Sequence, residues 1–195
     1  MKTIESTGMV LNIDNIDTDQ IIPAKFLKAT NREGFGKHLF ANWRYNEDNS
    51  ENPDFALNNY KKGSAVLIAG NNFGCGSSRE HAAWAISDFG IRTIISTQFA
   101  DIFKGNALNN DIVPIEVNQS ELDLIMNQVN ADKETKILVD IEAQTLNVSA
   151  EGFSFSREFE IDQLKKKFIM ADISDLEYLI SIKNDVANYE ELNVL

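Results

Sequence analysis

Residues 65–96 read AVLIAGNNFGCGSSREHAAWAISDFGIRTIIS, and their order predicts a strand, a glycine-rich loop, a helix and a second strand. The apolar run 65–69 is short and uninterrupted, which is typical of a strand buried on both faces. Residues 79–89 place alanines and an isoleucine on one side of a helix, and Gly90 follows where helices commonly end in a left-handed residue. Residues 93–96 are a second buried strand by the same pattern.

The alternation of strands and helices continues beyond this stretch. Residues 99–108 predict another helix, and residues 112–117 predict a third buried strand. Strands joined through helices at this spacing imply right-handed crossovers and a mainly parallel sheet. Later, residues 136–141 and 145–149 alternate apolar with polar side chains, which predicts an antiparallel hairpin. Helices are expected at residues 120–129, 162–170 and 174–182. We therefore predict one α/β domain over residues 1–195.

The first third of the chain is less regular. Residues 7–13 predict a strand, and residues 14–19 are expected to form an acidic loop because they are rich in turn residues. Pro23 opens a helical turn over residues 24–29, a position that suits its fixed backbone angle. Residues 37–45 predict a further short helix.

Composition excludes several classes of protein. The 18 basic and 30 acidic residues give a net charge of −12, which argues against binding to nucleic acid, since that requires Lys and Arg to neutralise phosphates. A single cysteine excludes an internal disulfide and a self-contained structural zinc or iron–sulfur site. The longest apolar runs are far below the roughly 20 residues that span a bilayer, and residues 1–6 do not resemble a targeting signal. A cytoplasmic protein without membrane contact is expected.

The loop before the first predicted helix carries the candidate chemistry. Gly74 and Gly76 permit close approach of the backbone to a ligand, and Ser77, Ser78 and Arg79 stand where the helix begins. The N-terminus of a helix favours an anion because its N–H groups are unpaired and its dipole is positive there. The guanidinium group of arginine suits bidentate binding of a carboxylate. These residues predict an oxyanion or carboxylate site beside a serine.

Common motifs do not account for this loop. It lacks the Gly-Lys-Ser/Thr of a P-loop, it has Arg79 in place of the third glycine of the dinucleotide fingerprint, and Ser78 has no glycine two residues later as a nucleophile elbow requires. One structural alternative stays open. Ser77 and Ser78 would then cap the helix, with Glu80 completing a capping box.

Residues 72–82, NFGCGSSREHA, closely resemble the signature of the aconitase superfamily swivelling domain, and in particular the family of 3-isopropylmalate dehydratase small subunits. Residues 14–23, 34–40 and 96–115 resemble further segments of that family in the same order. The resemblance implies a three-layer β/β/α swivelling domain with mainly parallel central strands, as in the aconitase C-terminal domain.

The resemblance also implies roles for individual residues. Ser77 takes the place of the catalytic serine, which as an alkoxide removes the carbon-bound proton. Substrate binding is implied for Gly76, Ser78, Arg79, Thr18, Asp19 and Lys28. Lys28 belongs to residues 26–29. By the same resemblance, this segment contacts the substituent that distinguishes isopropylmalate from citrate or homocitrate.

Four other residues are interpreted individually. Arg32 is the nearest candidate for the arginine with which aconitase binds the additional carboxylate of its substrate. His38 lies in an insertion and could reach a partner subunit. His81 is expected to pack on its helix, and Cys75 is expected to be a packing residue, because the cluster cysteines of the family lie in another polypeptide.

The activity implied by the resemblance is that of a hydro-lyase subunit of leucine biosynthesis. It would isomerise 2-isopropylmalate and 3-isopropylmalate by dehydration and rehydration, together with a large subunit. That large subunit would carry a [4Fe–4S] cluster whose open iron acts as a Lewis acid, while this chain itself would hold no metal. The alternatives are the small subunit of a related hydro-lyase (citraconate/2-methylmalate or dimethylmalate hydratase, or homoaconitase) and a carboxylate-binding module without catalysis.

Overall fold

A parallel sheet of four strands forms the centre of the molecule. The computed structural model describes residues 1–28, 32–171 and 173–192. The sheet has the order β2-β3-β4-β5, and every neighbouring pair is parallel. Its strands are β2 (Gly8–Leu11), β3 (Val66–Ala69), β4 (Thr93–Ser96) and β5 (Val113–Glu116). The three predicted buried strands and their parallel arrangement are confirmed, and the predicted N-terminal strand adds the fourth.

Two helices connect these strands on one side of the sheet. Helix α3 (Glu80–Phe89) follows β3, and helix α4 (Asp101–Leu108) follows β4. Helix α3 buries the predicted apolar side and ends at Gly90, which has a φ of 103°. Since an L-residue rarely adopts that angle, a glycine suits this end of the helix.

An antiparallel sheet forms a separate layer. Its order is β1-β6-β7-β8, made of β1 (Thr3–Ser6), β6 (Lys136–Asp140), β7 (Thr145–Ala150) and β8 (Phe153–Glu158). The predicted hairpin is confirmed as β6 and β7. Strand β1 pairs with β6 but was not predicted, because only Ile4 of its four residues is buried and the segment shows no strand pattern.

The two faces of the parallel sheet are covered by different layers. Leu67 and Ile94 pack in a core shared with helix α3, whereas Ile68 and Ile95 pack in a second core. That second core also takes side chains from β6, from β7 and from α5 (Gln119–Ala131), which is capped by Asn118. The parallel sheet therefore lies between the antiparallel sheet and the helices, which is the predicted β/β/α order of layers.

The segment before β3 differs in detail from the prediction. The expected helix over residues 37–45 is split into a 3-10 helix, Phe35–His38, and the short helix α2 (Ala41–Arg44). The break falls at Phe40, whose φ of 49° is incompatible with a continuous helix. The turn after Pro23 is a 3-10 helix, Ala24–Phe26, and the remainder of that prediction at residue 29 lies outside the described residues.

Three helices end the described chain. Helices α6 (Gln163–Ala171) and α7 (Asp175–Ser181) match the expected ones, and a further helix, α8 (Lys183–Leu192), was not predicted. Within the described ranges, no helix combines the length and apolar character needed to cross a membrane.

Candidate active site

The glycine–serine loop between β3 and α3 is joined to the acidic N-terminal loop through their backbones. The N–H of Gly74 donates to the carbonyl oxygen of Ile16 at 2.8 Å, and the N–H of Thr18 donates to that of Cys75 at 2.9 Å. Asp17 and Cys75 form an isolated parallel bridge. Helix α1 (Thr18–Ile21) begins directly afterwards, inside the predicted loop, with Asp17 as its N-cap. Two segments about 60 residues apart in sequence therefore form one structural unit.

The two glycines of the loop are required by its backbone and its packing. Gly74 has a φ of 76° and Gly76 a φ of 89°, angles that glycine adopts far more readily than other residues. A β-carbon on Gly74 would lie 2.2 Å from the Phe103 ring, so no larger residue fits there without movement. The loop can follow this path only because glycine occupies these positions.

Neither serine caps helix α3. The N-cap is Arg79, which has extended backbone angles and no side-chain capping bond. The Glu80 carboxylate accepts a hydrogen bond from the Trp84 indole at 3.1 Å. The capping alternative is therefore wrong, and the exposed side chains of Ser77 and Ser78 line a cavity instead.

This cavity has a volume of about 240 Å³ and lies between the N-termini of two helices. Its size suits a small metabolite, since it falls below the roughly 300–1,000 Å³ of pockets for drug-sized ligands. Helix α4 begins after Ala100, which also makes no side-chain capping bond. Both helix N-termini offer positive partial charge to an anion. The lining residues are Thr18, Gly74, Gly76, Ser77, Ser78, Arg79, Ala100, Asp101, Ile102, Phe103 and Asn106.

Thr18 and Asp19 each support a neighbouring site residue. The Thr18 side chain is 2% exposed, and its hydroxyl donates to the carbonyl oxygen of Ser77 at 2.8 Å. The Asp19 carboxylate forms an ion pair with the Arg79 guanidinium, whose side chain is 15% exposed. Guanidinium carries five N–H donors, so one carboxylate leaves others for a ligand. Thr18 thus holds the serine backbone, and Asp19 holds the arginine.

Lys28 and Arg32 do not line the cavity. Lys28 lies in an exposed turn after the 3-10 helix Ala24–Phe26. The Arg32 guanidinium lies over the Trp84 ring at 4.8 Å and forms an ion pair with Glu80 at 3.3 Å. The structure therefore brings six of the seven predicted site residues together around the loop, leaves Lys28 outside, and places Arg32 against helix α3.

The two histidines pack against aromatic rings. His38 stacks on Phe26 with ring centroids 3.8 Å apart, and burial lowers the pKa of its imidazole, as do the charges of Lys37 and Lys25. His81 contacts the Trp84 ring at 4.5 Å. The expected packing role of His81 agrees with this contact, and neither histidine lines the cavity.

Cys75 lies beside the serines in an environment that disfavours its thiolate form. Burial raises the pKa of its thiol, and the charge of Asp17 raises it further. Among the described residues, no group of three or more His, Cys, Asp or Glu side chains is arranged to hold a metal ion. Iron–sulfur clusters are held by several thiolates. The residues of this chain therefore do not fit a [4Fe–4S] cluster.

Five residues of the cavity were missing from the sequence prediction. Ala100 precedes helix α4, and Asp101, Ile102, Phe103 and Asn106 belong to it; Ile102 is 59% exposed. The signal that points to them is topological. Strands β3 and β4 are parallel neighbours, so the segments that follow them meet at the same edge of the sheet, where ligands of α/β proteins commonly bind.

Comparisons with known proteins agree with this fold. The family model for the aconitase C-terminal domain matches residues 1–120. The 3-isopropylmalate dehydratase small subunit of Cytophaga hutchinsonii is 48% identical over 189 residues, with 97% of this chain and 93% of that protein covered. The corresponding protein of Christiangramia forsetii is 45% identical, with 97% and 91% covered.

A solved structure extends the likeness to three dimensions. The crystal structure of 3-isopropylmalate dehydratase from Methanocaldococcus jannaschii superimposes with a TM-score of 0.67 at 26% identity, covering 96% of this chain and 99% of that one. Sequence, fold and the glycine–serine loop lead to the same assignment. The chain belongs to the aconitase C-terminal domain family, and within it to the 3-isopropylmalate dehydratase small subunits.

Proposed function

We propose that this chain works as the small subunit of 3-isopropylmalate dehydratase and supplies the serine base for dehydration and rehydration of the substrate. The observation that carries the proposal is the placement of Ser77. Its exposed hydroxyl lies in a cavity with Arg79 and the N-termini of α3 and α4, in a chain of this family.

A serine hydroxyl is a weak base, so the site must stabilise its alkoxide. The groups that can stabilise the alkoxide are the N-terminus of α3, the N–H of Gly76 and the guanidinium of Arg79. Such fixed donors stabilise developing negative charge at little reorganisation cost. The hydrogen bond from Thr18 to the Ser77 carbonyl holds the loop in place, so that the hydroxyl keeps its position near the substrate.

Carboxylate binding is assigned to Ser78 and Arg79. The overall charge of −12 repels an anionic substrate, so attraction has to be local. Arg79 is held by Asp19 on one side and lines the cavity on the other. The helix N-terminus adds a second positive group. Together these groups can orient a malate derivative with its reacting carbon near Ser77.

The partner is the large subunit of the dehydratase, and the [4Fe–4S] cluster is assigned to that subunit. The single cysteine of this chain supports the assignment, since its thiol cannot supply the ligand set. Gly76, Ser77 and Ser78 are exposed at the cavity, and the large subunit would cover them and complete the site.

The decisive experiment reconstitutes both subunits. We expect the anaerobically reconstituted pair to dehydrate 2-isopropylmalate and 3-isopropylmalate, and each subunit alone to be inactive. Citramalate and homocitrate serve as the competing substrates. A higher kcat/KM for either would indicate a related hydro-lyase, and binding of substrate by the isolated chain without turnover of the pair would indicate a carboxylate-binding module.

The purified chain alone should bind no iron–sulfur cluster. After anaerobic reconstitution with iron and sulfide and removal of excess reagents, we expect no visible charge-transfer absorbance and no stoichiometric iron. The large subunit treated in parallel is the positive control. A stoichiometric cluster on this chain would contradict the assignment to the partner.

Replacing Thr18 by valine should lower kcat while leaving KM nearly unchanged. Valine keeps the shape but removes the donor to the Ser77 carbonyl, which destabilises the loop by about 1–3 kcal/mol if that group is left unsatisfied. The Ser77 hydroxyl is then held less firmly in its reactive position. We expect kcat to fall about tenfold or more and Thr18→Ser to restore most of it. Steady-state kinetics of the reconstituted pair measure both constants. A raised KM with unchanged kcat would instead assign Thr18 to substrate binding.

A further inference from the structure

The wall of the Ser77 cavity that α4 forms differs in character from the wall formed by the glycine–serine loop. The loop supplies backbone, two serine hydroxyls and the Arg79 guanidinium. Helix α4 supplies Asp101 and Ile102, and the Ile102 side chain is 59% exposed. Ligand pockets commonly combine apolar walls with a few polar groups that fix the orientation of the ligand. The loop therefore suits a carboxylate, and the α4 wall offers apolar surface to an alkyl group.

The positive charge available in this cavity is limited. Among the described lining residues, Arg79 is the only cationic side chain, and it already pairs with Asp19. Lys28 and Arg32 lie outside the cavity. The other positive groups are the N-termini of α3 and α4, each equivalent to about half a charge. These groups suit a substrate with few carboxylates, because a further carboxylate would find no second cationic side chain in the described lining.

Asp101 adds a negative charge to the α4 wall. It is exposed and lies in the first turn of α4, so that its carboxylate offsets the positive end of that helix. Within the described ranges, no ion pair neutralises it. Lys104, three residues further along α4, is paired with Glu116 at 3.0 Å. The N-terminus of α3 and Arg79 are thus left as the place for anions, and the start of α4 disfavours them.

The negative charge continues beyond the cavity. An adjoining groove of about 440 Å³ shares Asp101 with the cavity and is also lined by Glu160 and Asp162. A substrate substituent that reaches along α4 out of the cavity would approach these carboxylates. Like charges brought together in this way repel, and the repulsion is stronger where water is partly excluded. An uncharged substituent meets no such penalty.

We infer that Asp101 is a specificity-determining residue, whose carboxylate repels substrates that carry a third carboxylate and so favours an alkyl substituent packed against Ile102. The inference rests on the proposed function, since it takes malate derivatives as the substrates. 2-Isopropylmalate, citramalate and citrate share the malate skeleton and differ in one substituent, which is isopropyl, methyl or carboxymethyl. Repulsion of the wrong ligand is a general source of specificity.

A structural role of Asp101 makes a different prediction. A carboxylate in the first turn of a helix interacts favourably with the helix dipole. That role alone predicts a change in stability when the charge is removed, and no change in the preference among substrates. Kinetics with a series of substrates therefore separates the two roles.

The test measures kcat/KM of the reconstituted pair with 2-isopropylmalate, citramalate and citrate. Asp101→Asn keeps the size of the side chain and removes its charge, so the ratio of kcat/KM for citrate to that for 2-isopropylmalate should rise at least about tenfold. The inhibition constant of citrate against 2-isopropylmalate should fall by a similar factor. A second uncharged variant, Asp101→Ser, should show the same changes. Asp101→Glu keeps the charge and should stay near the wild-type ratio, as should the ratio for citramalate in every variant.

Asp185→Asn is the matched control. Asp185 is likewise an exposed aspartate in the first turn of a helix, α8, and it does not line the cavity. Its replacement removes the same charge from the chain, so an effect of net charge alone would appear in both variants. Added salt should weaken the discrimination of the wild type against citrate more than that of Asp101→Asn. Circular dichroism checks that each variant is folded.

The outcomes separate this inference from the proposed function. An active pair in which Asp101→Asn leaves the citrate ratio unchanged would overturn the role of Asp101 alone, and an equal rise in Asp185→Asn would do the same. A wild-type pair that prefers citrate to 2-isopropylmalate would overturn both. A wild-type pair that turns over none of the three substrates would overturn the proposed function, together with the inference that rests on it.

Discussion

Replacing Ser77 by alanine should abolish turnover of the reconstituted pair while leaving the association of its subunits unchanged. A general base contributes about 10²–10⁴-fold to a proton transfer, so we expect kcat to fall by at least that factor. The Ser77 side chain is exposed, and exposed substitutions commonly change stability by less than about 0.5 kcal/mol. Formation of the unsaturated dicarboxylate, followed by its ultraviolet absorbance, measures the loss.

The adjacent serine provides the control for this experiment. Ser78 is equally an exposed residue of the cavity, but the proposed mechanism gives it a binding role. Ser78→Ala should therefore raise KM more than it lowers kcat. A Ser77→Ala enzyme that retains wild-type kcat would remove Ser77 as the base, and a variant that fails to bind the large subunit would show that Ser77 acts in assembly instead.

The fold was predictable from sequence where burial leaves an unbroken apolar pattern. Residues 65–69 are such a run, and β3 is buried along its whole length. Strand β1 has one buried side chain in four and could not be identified in this way. The break at Phe40 was equally hidden, because a left-handed backbone at a buried phenylalanine is imposed by its tertiary packing and is not favoured by the residue itself.

The site was predictable where its residues lie within one sequence motif or match a motif of a known family. The residue types at positions 74–79 predict an anion site. They do not distinguish a serine whose hydroxyl caps the helix from one whose hydroxyl faces a cavity. That distinction depends on the extended backbone of Arg79, which local sequence does not specify. The hydrogen bond from Thr18 to Ser77 joins residues 59 positions apart and arises only from the pairing of two loops.

The replacement of Arg79 by lysine tests whether the guanidinium group itself binds the substrate carboxylate. Arginine can donate two parallel hydrogen bonds to a carboxylate, whereas lysine offers a point charge. A charge-assisted hydrogen bond contributes about 1.5–3 kcal/mol, so its loss should lower kcat/KM about 10- to 150-fold. Most of the change should appear in KM, because the charge that stabilises the Ser77 alkoxide is kept.

Asp19 provides the second half of this test, because its carboxylate pairs with Arg79. Asp19→Asn removes the charge that holds the guanidinium and should give a smaller loss in kcat/KM than Arg79→Lys. If Asp19 acts only through Arg79, the double variant should resemble Arg79→Lys, so that the two losses are not additive. Fully additive losses would mean that Asp19 contacts the substrate independently. An unchanged KM in Arg79→Lys would refute bidentate binding of the substrate carboxylate by the guanidinium, since a positive charge at position 79 would then be enough.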